Sequence, residues 1–203
     1  MTYTLFGFPP SGNTHKIRML MNFLNIECDE VNINLKNGEH KQAAFLAINP
    51  RGQVPALQTS EGLIIDSHAI LVYLASLHGK GKWWPESPLE QARLMEWISF
   101  SANEIHSGMA SLRKHHRLGI PIAFEHALQV TENSMRLLDK HLSMNYWLVG
   151  TEFSLADLCC LPYLALAHEA QFDLTPFPNV QAWIARCKQV PGITLMPGMQ
   201  APA

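Results

Sequence analysis

The sequence lacks a strong excess of charge of either sign. Fifteen lysine and arginine residues stand against seventeen aspartate and glutamate residues, so the formal net charge at neutral pH is −2. Proteins that bind nucleic acid or an anionic membrane usually carry a basic surface. The composition therefore gives no support for either kind of partner.

Long apolar runs are also missing. No stretch approaches the roughly 18 apolar residues that a membrane-spanning helix needs. The first residues, Met1-Thr2-Tyr3, lead directly into a strand pattern instead of a signal peptide. We therefore expect a cytoplasmic protein with no membrane segment.

Cysteine is scarce and shows neither C-x-x-C nor the spacing of a zinc site. The four cysteines are Cys28, Cys159, Cys160 and Cys187. In a reducing compartment they are best interpreted as buried free thiols. Among ten histidines the only tight cluster is His115-His116, which has no cysteine or carboxylate nearby. We expect no metal site.

The composition describes a globular protein. Apolar residues make up 47% of the chain and charged residues 16%, which differs from the low hydrophobicity of disordered chains. A length of 203 residues suits one domain or two small ones.

Strand and helix patterns alternate in the first 79 residues. Residues 3–8 read as a strand, and Asn13 is the predicted N-cap of a first helix. The other predicted elements are a strand at 31–35, a short helix at 41–47, strands at 54–58 and 63–65 around a turn at 60–62, and a helix at 67–78. The first two strands should be parallel because a helix connects them.

Glycine and proline are concentrated in residues 80–88, which we interpret as a linker between two domains. Every later pattern is helical. The predicted helices span 89–118, 122–142 with Pro121 at the first helical position, a segment that begins at Ser154-Leu155-Ala156-Asp157, and 179–190. The Ser154-to-Asp157 spacing is that of a capping box, with a structural role.

Two motifs that flank the pair of short strands predict a binding site. The first, residues 49–57, reads NPRGQVPAL, and the second, residues 66–70, reads DSHAI. A cis bond before Pro55 would turn the backbone of Val54 outward, where it could pair with an extended ligand. Asp66 and Ser67 would lie at a helix N-terminus, where unpaired N–H groups favour a carboxylate.

In this order, the two motifs resemble the glutathione site of cytosolic glutathione S-transferases, and the similarity extends over essentially the whole chain. It implies an α/β plus all-α protein with an N-terminal thioredoxin-like domain and a C-terminal helical bundle domain. The thioredoxin-like, glutathione-binding domain would span residues 1–79, the linker 80–88, and the all-helical domain that lines the electrophile site 89–203. Glutathione would be the co-substrate, without a metal.

The stretch at residues 10–16, PSGNTHK, is similar to the S-G-N-x-x-K segment of serine-type bacterial and theta-like transferases. The resemblance makes Ser11 the hydroxyl that stabilises the thiolate of glutathione, with Asn13 as a second donor. A tyrosine-type site is disfavoured because Phe6 and Phe8 stand at the end of the first strand, and a cysteine-type site because no cysteine is near Ser11. From the residues alone, Ser11 could also belong to an ordinary turn.

The other glutathione contacts follow from the same resemblance. The Val54 backbone, next to Pro55, would pair with the cysteinyl unit of the tripeptide. Ser67 would hold the γ-glutamyl end, where Asp66 would face the ammonium group. His40 and Gln53 occupy the positions that contact the glycyl end in relatives.

A pocket for the electrophile is expected between the domains. Its predicted lining comprises Phe8, Pro9, His106, Met109, Ala110 and Arg113. The last four follow the i, i+3, i+4, i+7 pattern of one helical face. A packing face with His106 and Arg113 at its edge is an equally good interpretation.

Three functions remain open. The chain could be a transferase that attacks small hydrophobic electrophiles in detoxification, a glutathione-dependent isomerase of the zeta type, or a binding module that has the transferase fold without activity. Retention of Ser11 and Asn13 argues against the binding module, and the lack of a Ser-Ser-Cys pattern at the start of the first helix argues against the isomerase. The resemblance also implies a homodimer.

Overall fold

A four-stranded sheet forms the centre of the first part of the chain. In the computed structural model, which describes residues 2–200, the strands are β1 (Thr4–Gly7), β2 (Asp29–Asn32), β3 (Ala56–Gln58) and β4 (Leu63–Ile65). Their order in the sheet is β2-β1-β3-β4. β1 and β2 are parallel, whereas β3 is antiparallel to both β1 and β4.

Helices cover this sheet through apolar side chains at helical spacing. They are α1 (Gly12–Phe23), α2 (Ala43–Ile48) and α3 (Ser67–His78), with a short 3₁₀ turn at Glu39–Lys41 before α2. Ile17 and Leu20 of α1 and Leu71 and Leu74 of α3 are completely buried, as is Leu5 of the sheet. α1 and α3 pack against each other, so the two elements that carry the predicted site residues share one core.

The chain divides between Lys80 and Gly81 into two compact units, and the second is helical. Its helices are α4 (Pro88–Phe100), α5 (Ser111–Leu118), α6 (Phe124–Leu142), α7 (Leu155–Leu164) and α8 (Pro178–Cys187), with a 3₁₀ turn at Ala167–Ala170. Between α4 and α5 the segment Ser101–Ala110 is a π-helix. The predicted long helix at 89–118 is therefore continuous, but its middle third has a wider turn than an α-helix.

The predicted capping box at the start of α7 is confirmed. Asp157 is fully buried, and its carboxylate accepts hydrogen bonds from the N–H and hydroxyl of Ser154 at 3.0 and 2.8 Å. It also accepts from the Leu148 N–H at 3.0 Å and from the indole N–H of Trp183 at 2.9 Å. One carboxylate thus connects the start of α7 to the preceding loop and to α8.

Several predicted boundaries are wrong. Ser11, not Asn13, caps α1, because the helix starts earlier than its apolar stripe. Pro121 is not at the first position of α6, which begins at Phe124. The second strand spans Asp29–Asn32 instead of residues 31–35. The last helix ends at Cys187 instead of residue 190.

The predicted fold class is confirmed: a mixed sheet with helices in a thioredoxin-like domain, followed by an all-helical domain. All four cysteines are free thiols, and Cys159, Cys160 and Cys187 are buried. Within residues 2–200, no helix is both long and apolar enough to cross a membrane. In the same residues, no cluster of three or more histidine, cysteine or acidic side chains could hold a metal ion.

Candidate functional site

Sheet topology brings the predicted site motifs to one end of the sheet. Phe6 near the end of β1 pairs with Ala56 at the start of β3, and Ala56 pairs with Ile65 at the end of β4. The loop after β1, the loop before β3 and the turn after β4 therefore leave the sheet at the same end. These three segments carry Ser11, Val54-Pro55 and Asp66-Ser67, which lie far apart in sequence.

Ser11 is half-buried and acts as the N-cap of α1. Its hydroxyl oxygen accepts a hydrogen bond from the Thr14 N–H at 3.3 Å, and its own N–H donates to the Phe8 carbonyl at 2.9 Å. A serine hydroxyl has one donor hydrogen and two acceptor sites. The cap uses an acceptor site, so the hydroxyl hydrogen stays available to a ligand anion.

Further donors surround this hydroxyl at the start of α1. Within residues 2–200, neither the Gly12 N–H nor the Asn13 N–H has a hydrogen-bond partner. The side-chain oxygen of Asn13, which is an acceptor and not a donor, is buried and has no partner in that range. Unpaired N–H groups at the positive end of a helix dipole favour an anion. The arrangement suits a thiolate.

The Val54–Pro55 bond is cis, as predicted. Among the described residues, no hydrogen bond uses the Val54 N–H or carbonyl, so both remain available to an extended ligand. Asn49 is 1% exposed and holds the loop: its amide donates to the Gln53 carbonyl at 2.7 Å and accepts from the Arg51 N–H at 3.0 Å. Asn49 belongs to the first motif, but its role in holding the loop was not predicted from the sequence.

Gly52 permits a close contact between this loop and the 3₁₀ turn. Its φ is +57°, and a Cβ there would lie 2.7 Å from the His40 carbonyl oxygen and 2.9 Å from Lys41 Nζ. Lys41 Nζ donates to the Gly52 carbonyl at 3.1 Å. Burial, and then the charge of Lys41, lower the pKa of His40. The predicted site residues His40 and Gln53 therefore flank one loop junction.

Asp66 is the N-cap of α3 and has an unusual backbone, with φ of +92°. Its carboxylate accepts from the N–H groups of His68 at 2.9 Å and Ala69 at 3.3 Å. The expectation that several N–H groups remain unpaired here is therefore partly wrong, because the cap uses two of them. Ser67 is 3% exposed, and Arg51 approaches Asp66 to 3.8 Å.

The pKa of Asp66 lies well below its ordinary value. The largest cause is the side-chain interaction with His68, followed among the lowering effects by the backbone N–H donors, while partial burial opposes them. Asp66 is therefore ionised at neutral pH and suits an ammonium group.

The sequence motifs did not identify the contact between Lys16 and His68. Lys16 of α1 is completely buried, and its ammonium lies 3.3 Å from Nε2 of His68 in α3. The only available signals were a lysine in the apolar half of α1 and a histidine inside the second motif. No sequence pattern indicates that these two side chains meet, because the two residues are 52 positions apart.

Comparison with known proteins decides the family. Residues 1–76 match the model of the glutathione S-transferase N-terminal domain, and residues 121–191 match that of the C-terminal domain. Glutathione S-transferase 3 of Zea mays is 30% identical over 191 residues, covering 88% of this chain and 86% of that protein. The chain belongs to the glutathione S-transferase family.

Bacterial glutathione S-transferases are similar over almost the whole length. The glutathione S-transferase GstB of Escherichia coli strain K12 is 28% identical over 197 residues, covering 94% of this chain and 95% of that protein. A crystal structure of a possible glutathione S-transferase from Rhodopseudomonas palustris superposes with a TM-score of 0.88 at 29% identity, covering 96% and 97% of the two chains. Each of these two relatives therefore matches both domains of the chain.

The prediction that the electrophile-pocket residues share one face of an α-helix is wrong. His106, Met109 and Ala110 lie in the π-helix, whose i-to-i+5 hydrogen bonds change the spacing of side chains. His106 is exposed, whereas Met109 is 1% exposed. Arg113 is 8% exposed and donates to the Glu169 carboxylate at 2.6 Å. In this member of the family, burial favours a packing role for Met109 and Arg113.

Proposed function

We propose that the protein is a glutathione transferase that ionises the glutathione thiol and directs the thiolate at a small hydrophobic electrophile. The observation that carries the proposal is the position of Ser11, whose hydroxyl caps α1 as an acceptor and keeps its own hydrogen. Membership of the glutathione S-transferase family makes glutathione the expected co-substrate. Ser11 and Asn13 are the proposed catalytic residues.

Thiolate formation is the central requirement of this mechanism. A free thiol has a pKa of about 8.5, and the attacking species is the thiolate. Donation from the Ser11 hydroxyl, together with the unpaired N–H groups of Gly12 and Asn13, would stabilise S⁻ and lower this pKa. The thiol proton passes to solvent, the sulfur attacks an electrophilic carbon and forms a C–S bond, and any leaving group departs with its electron pair.

The rest of the site would bind the tripeptide. The unpaired backbone of Val54 would pair with the cysteinyl unit, and the His40 and Gln53 junction would face the glycyl end. Asp66, ionised at neutral pH, would bind the γ-glutamyl ammonium, and the Ser67 hydroxyl would donate to the carboxylate. The contacts at the γ-glutamyl and glycyl ends are remote from sulfur, so they contribute equally to the ground state and the transition state.

For the electrophile we propose an apolar contact with Phe8 and Pro9, which directly precede the Ser11 turn. Pro9 is exposed, and Phe8 is 9% exposed. His106 is the accessible member of the helical residues predicted for this pocket. We also propose that the protein acts as a homodimer, as the family resemblance implies.

The test combines binding with turnover. The protein is passed over immobilised glutathione and eluted with free glutathione, and conjugation of a chromogenic aryl halide is followed at several pH values. Absorbance of the bound thiolate should grow in at a pH clearly below the ordinary thiol range. Failure to bind glutathione at all would refute the proposal.

The same measurements separate the other two functions. Binding of glutathione without turnover of aryl halides, epoxides or peroxides would indicate a binding module. Isomerisation of an unsaturated acid with glutathione regenerated, and no conjugate formed, would indicate the isomerase. A conjugate that contains the glutathione sulfur is the outcome expected for a transferase.

A further inference from the structure

The contact between Lys16 and His68 joins the two helices that carry the opposite ends of the proposed glutathione site. α1 begins after Ser11, and α3 begins after Asp66. Lys16 is completely buried, and its Nζ lies 3.3 Å from His68 Nε2. Removing an ammonium group from water costs several kcal/mol unless polar partners compensate. A lysine at this position therefore calls for a role beyond filling space.

This contact fixes the tautomer of the His68 ring. A lysine ammonium can only donate hydrogen bonds, so Nε2 of His68 is the acceptor and the ring hydrogen is on Nδ1. Burial is the largest cause that lowers the pKa of His68, and the charge of Lys16 acts in the same direction, while Asp66 opposes both. The ring is therefore neutral at neutral pH, as an acceptor at Nε2 requires.

The Nδ1–H of this tautomer faces the γ-glutamyl end of the proposed site. Nδ1 lies 3.6 Å from Asp66 Oδ1 and 3.5 Å from the Ser67 hydroxyl oxygen. A donor at Nδ1 stabilises the ionised carboxylate of Asp66. The same hydrogen is shared with the Ser67 hydroxyl oxygen, which then acts as an acceptor and keeps its own hydrogen for a ligand carboxylate. The opposite tautomer would place a lone pair against Asp66 and repel it.

We propose that Lys16 and His68 are positioning residues for the γ-glutamyl group: Lys16 holds His68 in its Nδ1–H tautomer, and His68 orients Asp66 and Ser67. This inference rests on the proposed function, because it assumes that glutathione is the ligand. It assigns neither residue a contact with the sulfur or with the electrophile. A purely structural role for the pair is the competing interpretation.

The first experiment observes the tautomer in the wild-type protein. Long-range proton–nitrogen NMR spectra distinguish a protonated from an unprotonated ring nitrogen, and the His68 signals are assigned by their loss in His68→Gln. We expect a protonated Nδ1 and an unprotonated Nε2. Lys16→Met should shift the ring toward the other tautomer or a mixture, and Lys16→Arg should restore it. A wild-type ring protonated at Nε2 would overturn the inference.

The second experiment measures which end of the ligand depends on the pair. Dissociation constants are determined for glutathione and for cysteinylglycine, which lacks the γ-glutamyl group. Lys16→Met should weaken glutathione binding about five- to tenfold, the effect of losing one well-oriented hydrogen bond. Cysteinylglycine binding should stay within about twofold of the wild type. Lys36→Met, an exposed lysine in the turn before α2, is the matched control and should change neither constant.

The ratio of the two constants separates a positioning role from a structural one. General distortion of the fold would weaken both ligands together and leave the ratio unchanged, which would overturn the inference. Lys16→Arg and His68→Gln keep a donor and an acceptor at these positions and should recover most of the ratio. If the wild type itself did not bind glutathione, the proposed function would fail first, whatever the variants did.

Discussion

Ser11 combines a structural and a chemical role that substitutions can separate. Alanine at this position removes both the cap of α1 and the donor to the thiolate, whereas glycine is a tolerated N-cap that has no hydroxyl. Ser11→Ala should cost about 0.5–2 kcal/mol of folding stability, and Ser11→Gly only a few tenths. Both should raise the pKa of bound glutathione by about one to two units.

The measurement for Ser11 is the pH dependence of thiolate absorbance and of turnover, beside urea unfolding of each variant. Turnover at neutral pH should fall in both variants and largely recover at higher pH, where the thiolate forms unaided. Asn13→Ala is measured alongside them. A wild-type thiol pKa in Ser11→Gly would show that Ser11 is only a cap, and a raised pKa in Asn13→Ala would move the role to Asn13.

The low pKa of His68 predicts how stability changes with pH. Burial lowers this pKa below the ordinary value of 6.5, so the unfolded chain takes up the proton first. The contribution of neutral His68 is therefore fully present above about pH 6.5 and is lost as the pH falls toward the folded-state pKa. We expect the stability difference between the wild type and His68→Gln to shrink from about pH 7.5 to about pH 5.5.

Urea unfolding of both proteins across that pH range checks this prediction. The difference in stability between the two proteins removes the contributions of the other histidines, which both proteins share. One of these is His40, whose pKa is also lowered. Asp66 does not interfere, because a carboxylate with a depressed pKa loses its contribution only below about pH 4. A difference independent of pH would contradict the assignment of a buried neutral ring.

At the level of an element, the capping box of α7 predicts a large effect from a small change. Asp157→Asn replaces one acceptor oxygen by an amide, although the donors of Ser154, Leu148 and Trp183 all need acceptors. One orientation of the amide removes the acceptor of the buried Leu148 and Trp183 donors, and the other removes the acceptor of the two part-buried Ser154 donors. We expect a loss of about 2–4 kcal/mol in the free energy of unfolding, measured by urea unfolding with tryptophan fluorescence as one probe.

Asp173→Asn is the matched control for this change. Asp173 accepts hydrogen bonds from the N–H and hydroxyl of Thr175 at 2.9 and 2.7 Å, but it lies on the surface. Water can satisfy the donors there, so the unfolding midpoint should not change measurably. Equal losses in the two variants would show that burial of Asp157 contributes little.

The π-helix makes a second prediction about an element. Gly108 packs so closely on α6 that an added Cβ would lie 2.7 Å from the Thr131 hydroxyl oxygen and 3.0 Å from the Thr131 backbone nitrogen. Alanine in place of a helical glycine normally stabilises by about 1 kcal/mol. Here Gly108→Ala should instead cost about 1–3 kcal/mol, because α6 must move.

Thermal and urea unfolding measure the sign of this effect. Ser107→Ala, at the neighbouring exposed position of the same π-helix, should be neutral or slightly stabilising, since alanine has the better helix propensity. A stabilising Gly108→Ala would mean that the π-helix and α6 are not tightly packed at this point.

At the scale of the whole molecule, the resemblance to dimeric transferases predicts a homodimer. Exposed apolar side chains on α4, Leu89 at 61% and Met95 at 38%, are candidates for the contact. Light scattering at micromolar concentration should give twice the mass of one chain. A double change to glutamate at both positions should lower this mass by burying charge in the interface.

The control for the dimer places the same charges elsewhere. Leu137 is 55% exposed and Met144 is 74% exposed, and glutamate at both should leave the mass unchanged. A wild-type protein with the mass of a single chain would refute the dimer. A dimer that survives the α4 double change would place its interface elsewhere.

The sequence by itself determined the features that depend on neighbouring residues. Alternation of apolar residues placed the strands, helical spacing placed the helices, and the Ser154-to-Asp157 spacing identified a cap that is confirmed. The Val54–Pro55 pair identified a cis bond, also confirmed. These signals act over a few residues, because turns, caps and periodic faces are decided by local backbone geometry and local hydrogen bonds.

Only the tertiary structure decided the features that join distant residues. The pairing of β1, β3 and β4 brings the three motif segments to one end of the sheet, and the packing of α1 on α3 creates the Lys16–His68 contact. The close contact of Gly108 in the π-helix joins it to Thr131 of α6. The physical reason is the same in each case: burial and close packing set the energy of these contacts, and their partners lie too far along the chain for any local pattern to encode them.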